Sequence, residues 1–331
     1  MAVTLKDVAE LAEVSRSAVS RTFTKGASVS EKTRKKVMRA ADQLGYSPNA
    51  LASSLTTGRT KMIGLISNNF HNPVFLEVFD MFTRGLHERD LRPLLVNLTD
   101  ETDPEASIRM LRQYSVDGVI VASSTLPPAF AKSFRDAGIP VVHSFGRHTE
   151  MPDVDVLGID NIEAGRMAAR TLIVHGYTDV GFLGGPAEAS STLDREKGFL
   201  LECAAHKGVS ARVSFADAYS FDAGRAEMLE LLTAPLAEAY FCGDDVLSIG
   251  AISSLETAGL SVPEDVGILG LNDIAMAKWE NINLTTINNP FSQIIAASIE
   301  QVTALVEDQS ITPKAHLFEC SVIERGTLKA R

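Results

Sequence analysis

From residue 62 to residue 271, apolar runs of strand length alternate with amphipathic stretches of helix length. Strands are expected at 62–67, 93–98, 118–122 and 140–145, with helices near 74–89, 105–114 and 127–137 between them. After Asp160-Asn161 the alternation restarts. It gives a helix near 162–175, strand 180–184, a helix near 192–206, a strand near 211–215, a helix near 223–232, strand 239–242, a helix near 245–258 and strand 266–271. When each strand is followed by a crossover helix, the strands assemble into a parallel, doubly wound sheet. Two successive series predict two lobes with a cleft between them, and ligands of such sheets sit at the carboxyl ends of the strands.

The first sixty residues follow a helical period. In TLKDVAELAEVSRSAVSRTF (4–23), Leu5, Val8, Ala9 and Ala12 recur at helical spacing behind a capping-box-like Thr4 and Asp7. A break at Glu13-Val14 follows. Ser15 then caps a second short helix through Phe23, with Ala18 and Val19 inside and Ser15, Arg16, Ser17, Ser20 and Arg21 outside. A third helix starts at Val29-Ser30, buries Val37, Ala40, Ala41 and Leu44, and ends at Gly45. Two short helices around a tight turn, the second small, polar and basic on its outer face, suit a helix-turn-helix reading the DNA major groove. An ordinary three-helix bundle with a charged surface is the plainer alternative.

Charge favours the first reading. Residues 1–60 hold ten Lys and Arg against five Asp and Glu, whereas the remainder holds 21 against 37. A basic head on an acidic body, within a net charge of −11, fits a DNA-binding segment attached to a domain that does not bind DNA. Pro48 follows the bundle, 50–55 spans barely two helical turns, and 56–60 reads as a linker. So short a helix is marginal alone and needs a partner, such as its own copy in a dimer lying on DNA.

A chain of 331 residues is long enough for two or three domains. No run approaches the ~18 apolar residues of a membrane helix, and no signal-peptide pattern precedes the first helix. Cys203, Cys242 and Cys320 are isolated and odd in number. They argue against a disulfide framework or a zinc site and fit a reducing cytoplasm. Neither cofactor nor metal is expected.

The head motif, together with VSEKTRKKV (29–37) and GYSPNALASSL (45–55), resembles the DNA-binding head and hinge of the lactose/galactose-repressor family. The likeness continues through VDGVIVASS (116–124), IDNIEAG (159–165), Arg195 to Phe199, FCGDD (241–245), GLSVPEDVGILGLND (259–273) and LTTINNP (284–290), in the family's order. It implies a small all-α head on an α/β, two-lobed, periplasmic-binding-protein-like core. The implied domains are a head at 1–46, a hinge helix and linker at 47–60, a first lobe from 61–161 plus 291–320, and a second from 162–290 plus 321–331. A helix at 291–307 and a strand near 315–319 would return to the first lobe. The resemblance also implies a homodimer on a pseudo-palindromic operator and a small-molecule effector between the lobes.

Carried onto this chain, the resemblance places DNA contacts at Thr4, Ser15, Arg16, Ser17, Ser20 and Arg21 in the head and at Asn49, Ala52 and Leu55 in the hinge. Leu55 matches a hinge leucine that wedges into the minor groove, kinking the operator centre. Glu13 replaces the usual turn glycine, which is tolerable at negative φ, and Ser53 replaces a frequent hinge arginine. Lys32, Arg34, Lys35 and Arg59 are candidates for phosphate contact or simply for a solvated basic face.

Candidate effector contacts follow the strand ends: Phe70 and Phe75 after the first strand, Ser124 after the third, Tyr219, Asp244 and Asn272 in the second lobe, and Asn289 at a crossover. Asn68, Asn69, Ser123, the stretch His143 to Arg147, Asp245 and Asp273 lie nearby. Arg195 and Tyr219 match the family's effector-binding arginine and aromatic ring. Arg195 alternatively pairs with Asp194 or Glu196, either aspartate at 244–245 alternatively caps a helix, Asp273 is alternatively a turn residue, and His143 is a strand histidine by preference. Such an inventory suits a hydroxyl-rich ligand, a neutral sugar, sugar acid or polyol. A corepressor such as a nucleobase is the alternative. Enzyme signatures are missing: there is no Gly-x-Ser-x-Gly elbow, no Gly-x-x-x-x-Gly-Lys-Ser/Thr loop and no His-Glu-x-x-His.

Overall fold

A computed structural model describes residues 3–24, 26–48, 54, 58–98 and 103–330. The chain divides into two units, Met1–Lys61 and Met62–Arg331.

In the first unit, α1 (Leu5–Leu11) opens on a capping box: the Thr4 amide donates to Asp7 Oδ2 at 2.7 Å, and Thr4 Oγ1 accepts from the Asp7 amide at 3.4 Å. α2 (Arg16–Phe23) starts at Ser15, whose hydroxyl oxygen accepts from the Ala18 amide at 3.2 Å. α3 (Glu31–Leu44) starts at Ser30 and stops at Gly45 in the left-handed region, φ +63°. Val8, Ala9, Ala12, Val19, Val37, Ala40 and Ala41 form the core. Arg34, a candidate for phosphate contact, donates from Nη1 to the Thr22 carbonyl at 3.0 Å and so ties α3 to α2. The turn corrects one expectation. Glu13 has φ +53°, not the negative value expected, because a turn this tight between two helices needs one left-handed residue. Asn49, Ala52, Ser53 and Leu55 lie outside the described residues.

The second unit holds two six-stranded sheets. Strands β1 (Met62–Ser67), β2 (Arg92–Asn97), β3 (Gly118–Ala122), β4 (Val141–Ser144), β5 (Asp155–Gly158) and β11 (Ala315–Leu317) form the first, in the order β11-β5-β4-β3-β1-β2, all parallel. The second contains β6 (Asp179–Gly184), β7 (Ser210–Phe215), β8 (Ala239–Cys242), β9 (Gly267–Asn272), β10 (Thr286–Asn288) and β12 (Ser321–Ile323), in the order β12-β10-β9-β8-β6-β7. Only the β10–β12 pair is antiparallel. In both sheets the middle strands are buried on both faces, which is why they read as unbroken apolar runs.

Helices α4 (Val74–Glu88), α5 (Pro104–Gln113) and α6 (Pro128–Asp136) belong to the first lobe, and α7 (Asn161–Val174), α8 (Ser190–Ala205), α9 (Phe221–Leu231) and α10 (Asp245–Thr257) to the second. α11 (Phe291–Glu307) returns to the first sheet, where the Ser144 hydroxyl donates to Ser298 at 2.7 Å. The chain therefore crosses between lobes after β5, after β10, and between β11 and β12. Strands β5, β10 and β12, of three or four residues each, were not expected from the sequence, being too short for a period to register. Among the described residues no helix is long and apolar enough to cross a membrane.

Candidate functional site: the cleft between the lobes

The carboxyl ends of β1, β3, β4, β5, β8, β9 and β10 open onto one cleft of about 550 Å³ including its mouth, within the range of small-molecule sites. Its two walls differ in character. The first lobe, with α11, contributes a mainly apolar side from Val74, Phe75, Val78, Phe145, Ile159 and Phe291, with Asn69, Asn72 and Ser124 as its polar members. The Phe145 and Phe291 rings meet edge to face at 5.6 Å, and Phe145 is held at φ +65°, a strained value for an aromatic residue. The second lobe contributes Arg195, Tyr219, Asp244 and Asn272, with Asn161 and Asn289 at two crossovers.

Arg195 sits one turn into α8, and close approach of α7 and α8 puts it there. A Cβ on Gly165 would stand 2.1 Å from the Arg195 carbonyl oxygen, and one on Gly198 would stand 1.9 Å from that of Ile162. Only glycine permits that crossing. The buried guanidinium then donates from Nε to Asn161 Oδ1 at 2.8 Å and from Nη1 to the Gly243 carbonyl at 2.6 Å. The expected alternative, an ion pair with Asp194 or Glu196, is not what the side chain makes. Asp194 instead pairs with Arg147 of the first lobe at 2.5 Å.

Asp244 caps α10 and also faces the cleft, so the two readings of this residue coexist. Its Oδ1 accepts from the Val246 amide at 2.6 Å, and its Oδ2 accepts from Asn72 Nδ2 at 2.9 Å and Asn272 Nδ2 at 3.0 Å. Burial pushes its carboxyl up from the ordinary aspartate value, against the pull of Asn72, the Val246 amide and the Arg195 charge. Asp245 points into the second lobe, accepting from the Thr286 hydroxyl at 2.5 Å and the Ile274 amide at 2.9 Å. Burial, with Asp244 and Asp273 adding to it, raises Asp245 to about 7. Tyr219 shares a 2.7 Å hydrogen bond with the Thr192 hydroxyl.

Among the described residues, four polar contacts bridge the lobes around this centre. They are Asn72 to Asp244, Arg147 to Asp194, the Ser190 hydroxyl to the Ser124 carbonyl at 3.2 Å, and the Ala275 amide to Glu77 Oε1 at 3.0 Å. In the head, the outward face of α2 carries exposed Ser15, Arg16, Ser17, Ser20 and Arg21 above buried Ala18, Val19 and Thr22. Arg21 Nε rests 3.3 Å from the Ser17 carbonyl.

Residues 4–49 match the model of the lacI family of bacterial regulatory proteins, and residues 169–328 match that of a periplasmic binding protein-like domain. The HTH-type transcriptional repressor PurR of Pectobacterium carotovorum is 31% identical, across 98% of this chain and 96% of its own length. PurR of an Escherichia coli strain is 30% identical at the same coverage. The chain belongs to the lacI family of bacterial regulatory proteins. Among solved structures, a lac repressor dimer bound to operator and the anti-inducer ONPF superposes on this lacI-family chain with a TM-score of 0.88, at 22% identity and 100% coverage of both chains. A complex of the transcriptional regulator CelR with cellobiose gives 0.73, at 28% identity over 98% of this chain and 100% of that one. The head and two-lobed α/β core are thus the fold of the lacI family.

In this lacI-family chain the cleft brings together Phe75, Ser124, Arg195, Tyr219, Asp244, Asn272 and Asn289. Phe70 is the correction: it does not line the cleft, and its half-buried ring stacks instead on Phe79 of α4 with ring centroids 4.9 Å apart. His143 is fully buried behind the cleft wall, with Nε2 3.0 Å from the Ser123 carbonyl. Burial lowers its pKa to about 4, so the ring is neutral at physiological pH. Asp273 turns away to Arg325 at 2.5 Å and Lys278 at 3.3 Å. Sequence reasoning missed Asn72, Asn161, Ile159 and Phe291. Asn161 and Phe291 are the first residues of helices that follow lobe crossings, and that position was the available signal.

Proposed function

We propose that this chain is a sequence-specific transcriptional repressor whose operator affinity is set by a small neutral or acidic sugar-like metabolite bound between the lobes. One observation carries the reading. A single cleft holds Arg195, Tyr219, Asp244 and Asn272 of one lobe against Phe75 and Ser124 of the other, and polar contacts join the lobes across it. A ligand there necessarily bears on how the lobes are held. The lac repressor structure with operator and ONPF and the CelR structure with cellobiose support both halves of the reading.

In this reading Ser15, Arg16, Ser17, Ser20 and Arg21 read base edges, Thr4 contacts the backbone, and Asn49, Ala52 and Leu55 engage the operator centre. Phe75, Ser124, Arg195, Tyr219, Asp244, Asn272 and Asn289 hold the effector. The working form is a homodimer on a pseudo-palindromic operator, cytoplasmic and without enzymatic activity. Its domains are 1–46, 47–60, 61–161 with 291–320, and 162–290 with 321–331. The sheet memberships of β11 and β12 support the last two.

The test is footprinting on selected operator DNA, alone and with hexoses, hexitols, hexonates and purine bases. At least one compound is expected to change occupancy, and Arg195→Ala is expected to remove the response. A footprint indifferent to every compound that calorimetry places in the cleft overturns the reading.

A further inference from the structure

Three side chains in the cleft, one carboxylate and two amides, form a directed hydrogen-bonded chain. Asp244 accepts at Oδ2 from Asn272 Nδ2, 3.0 Å away, and Asn272 Oδ1 accepts in turn from Asn289 Nδ2 at 3.1 Å. Ionised, Asp244 only accepts, so Asn272 turns its nitrogen towards Asp244 and its oxygen towards Asn289. Asn289 must then turn its nitrogen towards Asn272, which leaves its oxygen at the far end. That oxygen is buried and has no donor among the described residues, although Asn289 is 93% buried at 7% exposure and lines the cleft. The second donor to Asp244 is oriented independently: Asn72 Oδ1 accepts from the Val74 amide at 3.0 Å, so its nitrogen has to face Asp244. A buried acceptor left without a donor is costly, so a bound molecule that supplies one is favoured over one that does not.

We propose that Asp244, acting through Asn272, fixes which end of the Asn289 amide faces the cleft, so that the ligand must donate an O–H or N–H there. This rests on the cleft being the effector site. Asp244 is thereby a positioning residue for ligand polarity as well as a helix cap. Asparagine at 244 keeps the cap, because its oxygen still accepts from the Val246 amide. Its nitrogen then takes the place of Oδ2 and opposes the nitrogens of both Asn72 and Asn272; Asn72, held by the Val74 amide, loses its bond, whereas Asn272 is free to turn. Asn272 reverses, Asn289 follows, and the cleft presents a donor where it presented an acceptor.

Neutron diffraction of deuterated wild type and Asp244→Asn tests the amide chain without any ligand. The amide deuterons of Asn289 are expected to point to Asn272 in the wild type and away from it in the variant. The opposite orientation in the wild type, or no reversal in the variant, overturns the proposal. Calorimetry then uses D-glucose, D-galactose, D-mannose and D-xylose with their singly fluorinated deoxy analogues, since fluorine cannot donate. For whichever sugar binds, one hydroxyl-to-fluorine change is expected to weaken wild-type binding about tenfold or more. The penalty at that position should shrink to under about threefold in both Asp244→Asn and Asn289→Leu. A penalty that persists unchanged in both variants, or no such position in the wild type, overturns the proposal. Failure of every sugar to bind counts against the sugar-like effector and leaves the neutron result to decide the amide chain.

Discussion

Asn72 and Asp244 are bonded across the cleft, amide nitrogen to carboxylate oxygen at 2.9 Å, and each is buried. The bond joins the loop before α4 of the first lobe to the cap of α10 in the second. It places an uncharged donor of the protein on the carboxylate that a ligand would also address. Separation of the lobes and occupation of the cleft are therefore coupled through one oxygen.

Asn72→Asp replaces that bond by repulsion, because aspartate still accepts from the Val74 amide but sets a carboxylate against Asp244. At neutral pH the variant should lose at least the ~1–3 kcal/mol of a buried hydrogen bond broken on one side, since like-charge repulsion adds to it. Urea unfolding measures the loss, and small-angle scattering should show a larger radius of gyration. A variant as stable and as compact as the wild type would show that the bond holds nothing.

On the head, Arg21→Ala and Ser17→Ala should weaken operator binding by about 1–3 kcal/mol each while non-specific binding barely changes. Both residues are exposed on the outer face of α2, so the fold should survive. Binding to operator and to random DNA at matched salt checks this, and unchanged operator preference in both variants would remove the recognition role of α2.

Glu13 at φ +53° makes a prediction of opposite sign. A left-handed conformation costs a side-chain-bearing residue roughly 1–2 kcal/mol, offset in part by the greater freedom glycine has when unfolded. Glu13→Gly should stabilise the head by up to about 1 kcal/mol. Hydrogen exchange at α1 and α2 amides of the full chain should slow; faster exchange would mean that the Glu13 side chain contributes more than its backbone costs.

Asp245 should make the second lobe sensitive to pH. Its pKa rises from 3.8 to about 7 on folding, so the folded state holds the proton more tightly. Its contribution is then fully present below about pH 4 and is lost as pH climbs through 7. His143, lowered from 6.5 to about 4, works the other way: stability is lost as pH falls below 6.5. Asp245→Asn isolates the first effect, since its oxygen can still accept from the Ile274 amide and its nitrogen can donate to Thr286. Denaturant midpoints from pH 5 to pH 8 should decline less in the variant than in the wild type. Parallel curves would show that Asp245 stays ionised throughout.

Elements with a long, clean period were legible in the sequence. The helices expected near 74–89 and 245–258 are Val74–Glu88 and Asp245–Thr257, because the apolar stripe and the flanking turns both specify them. Strands β5, β10 and β12 were not, because pairing with a neighbour in the sheet, not their own pattern, makes them strands. The cleft shows the same division. Arg195, Tyr219 and Asp244 stood at strand ends or within recognisable motifs. Asn72 lay in a polar loop where Asn68, Asn69 and Phe70 drew the attention instead, and only the fold of the other lobe brings Asp244 to it. Phe70 shows the converse: a position after a strand end does not decide whether a ring turns to the cleft or to the adjacent helix.

The central claim is that occupation of the cleft and the operator affinity of the head are linked. Its most direct test is calorimetry of one cleft-binding compound, titrated into the free protein and into the protein saturated with operator DNA. Linkage requires the operator to change the compound's affinity by the same factor by which the compound changes operator affinity, typically about 5–150-fold. The account expects two different dissociation constants and a matching ratio in the reverse titration. Identical constants in both titrations, for a compound that Arg195→Ala no longer binds, would contradict it.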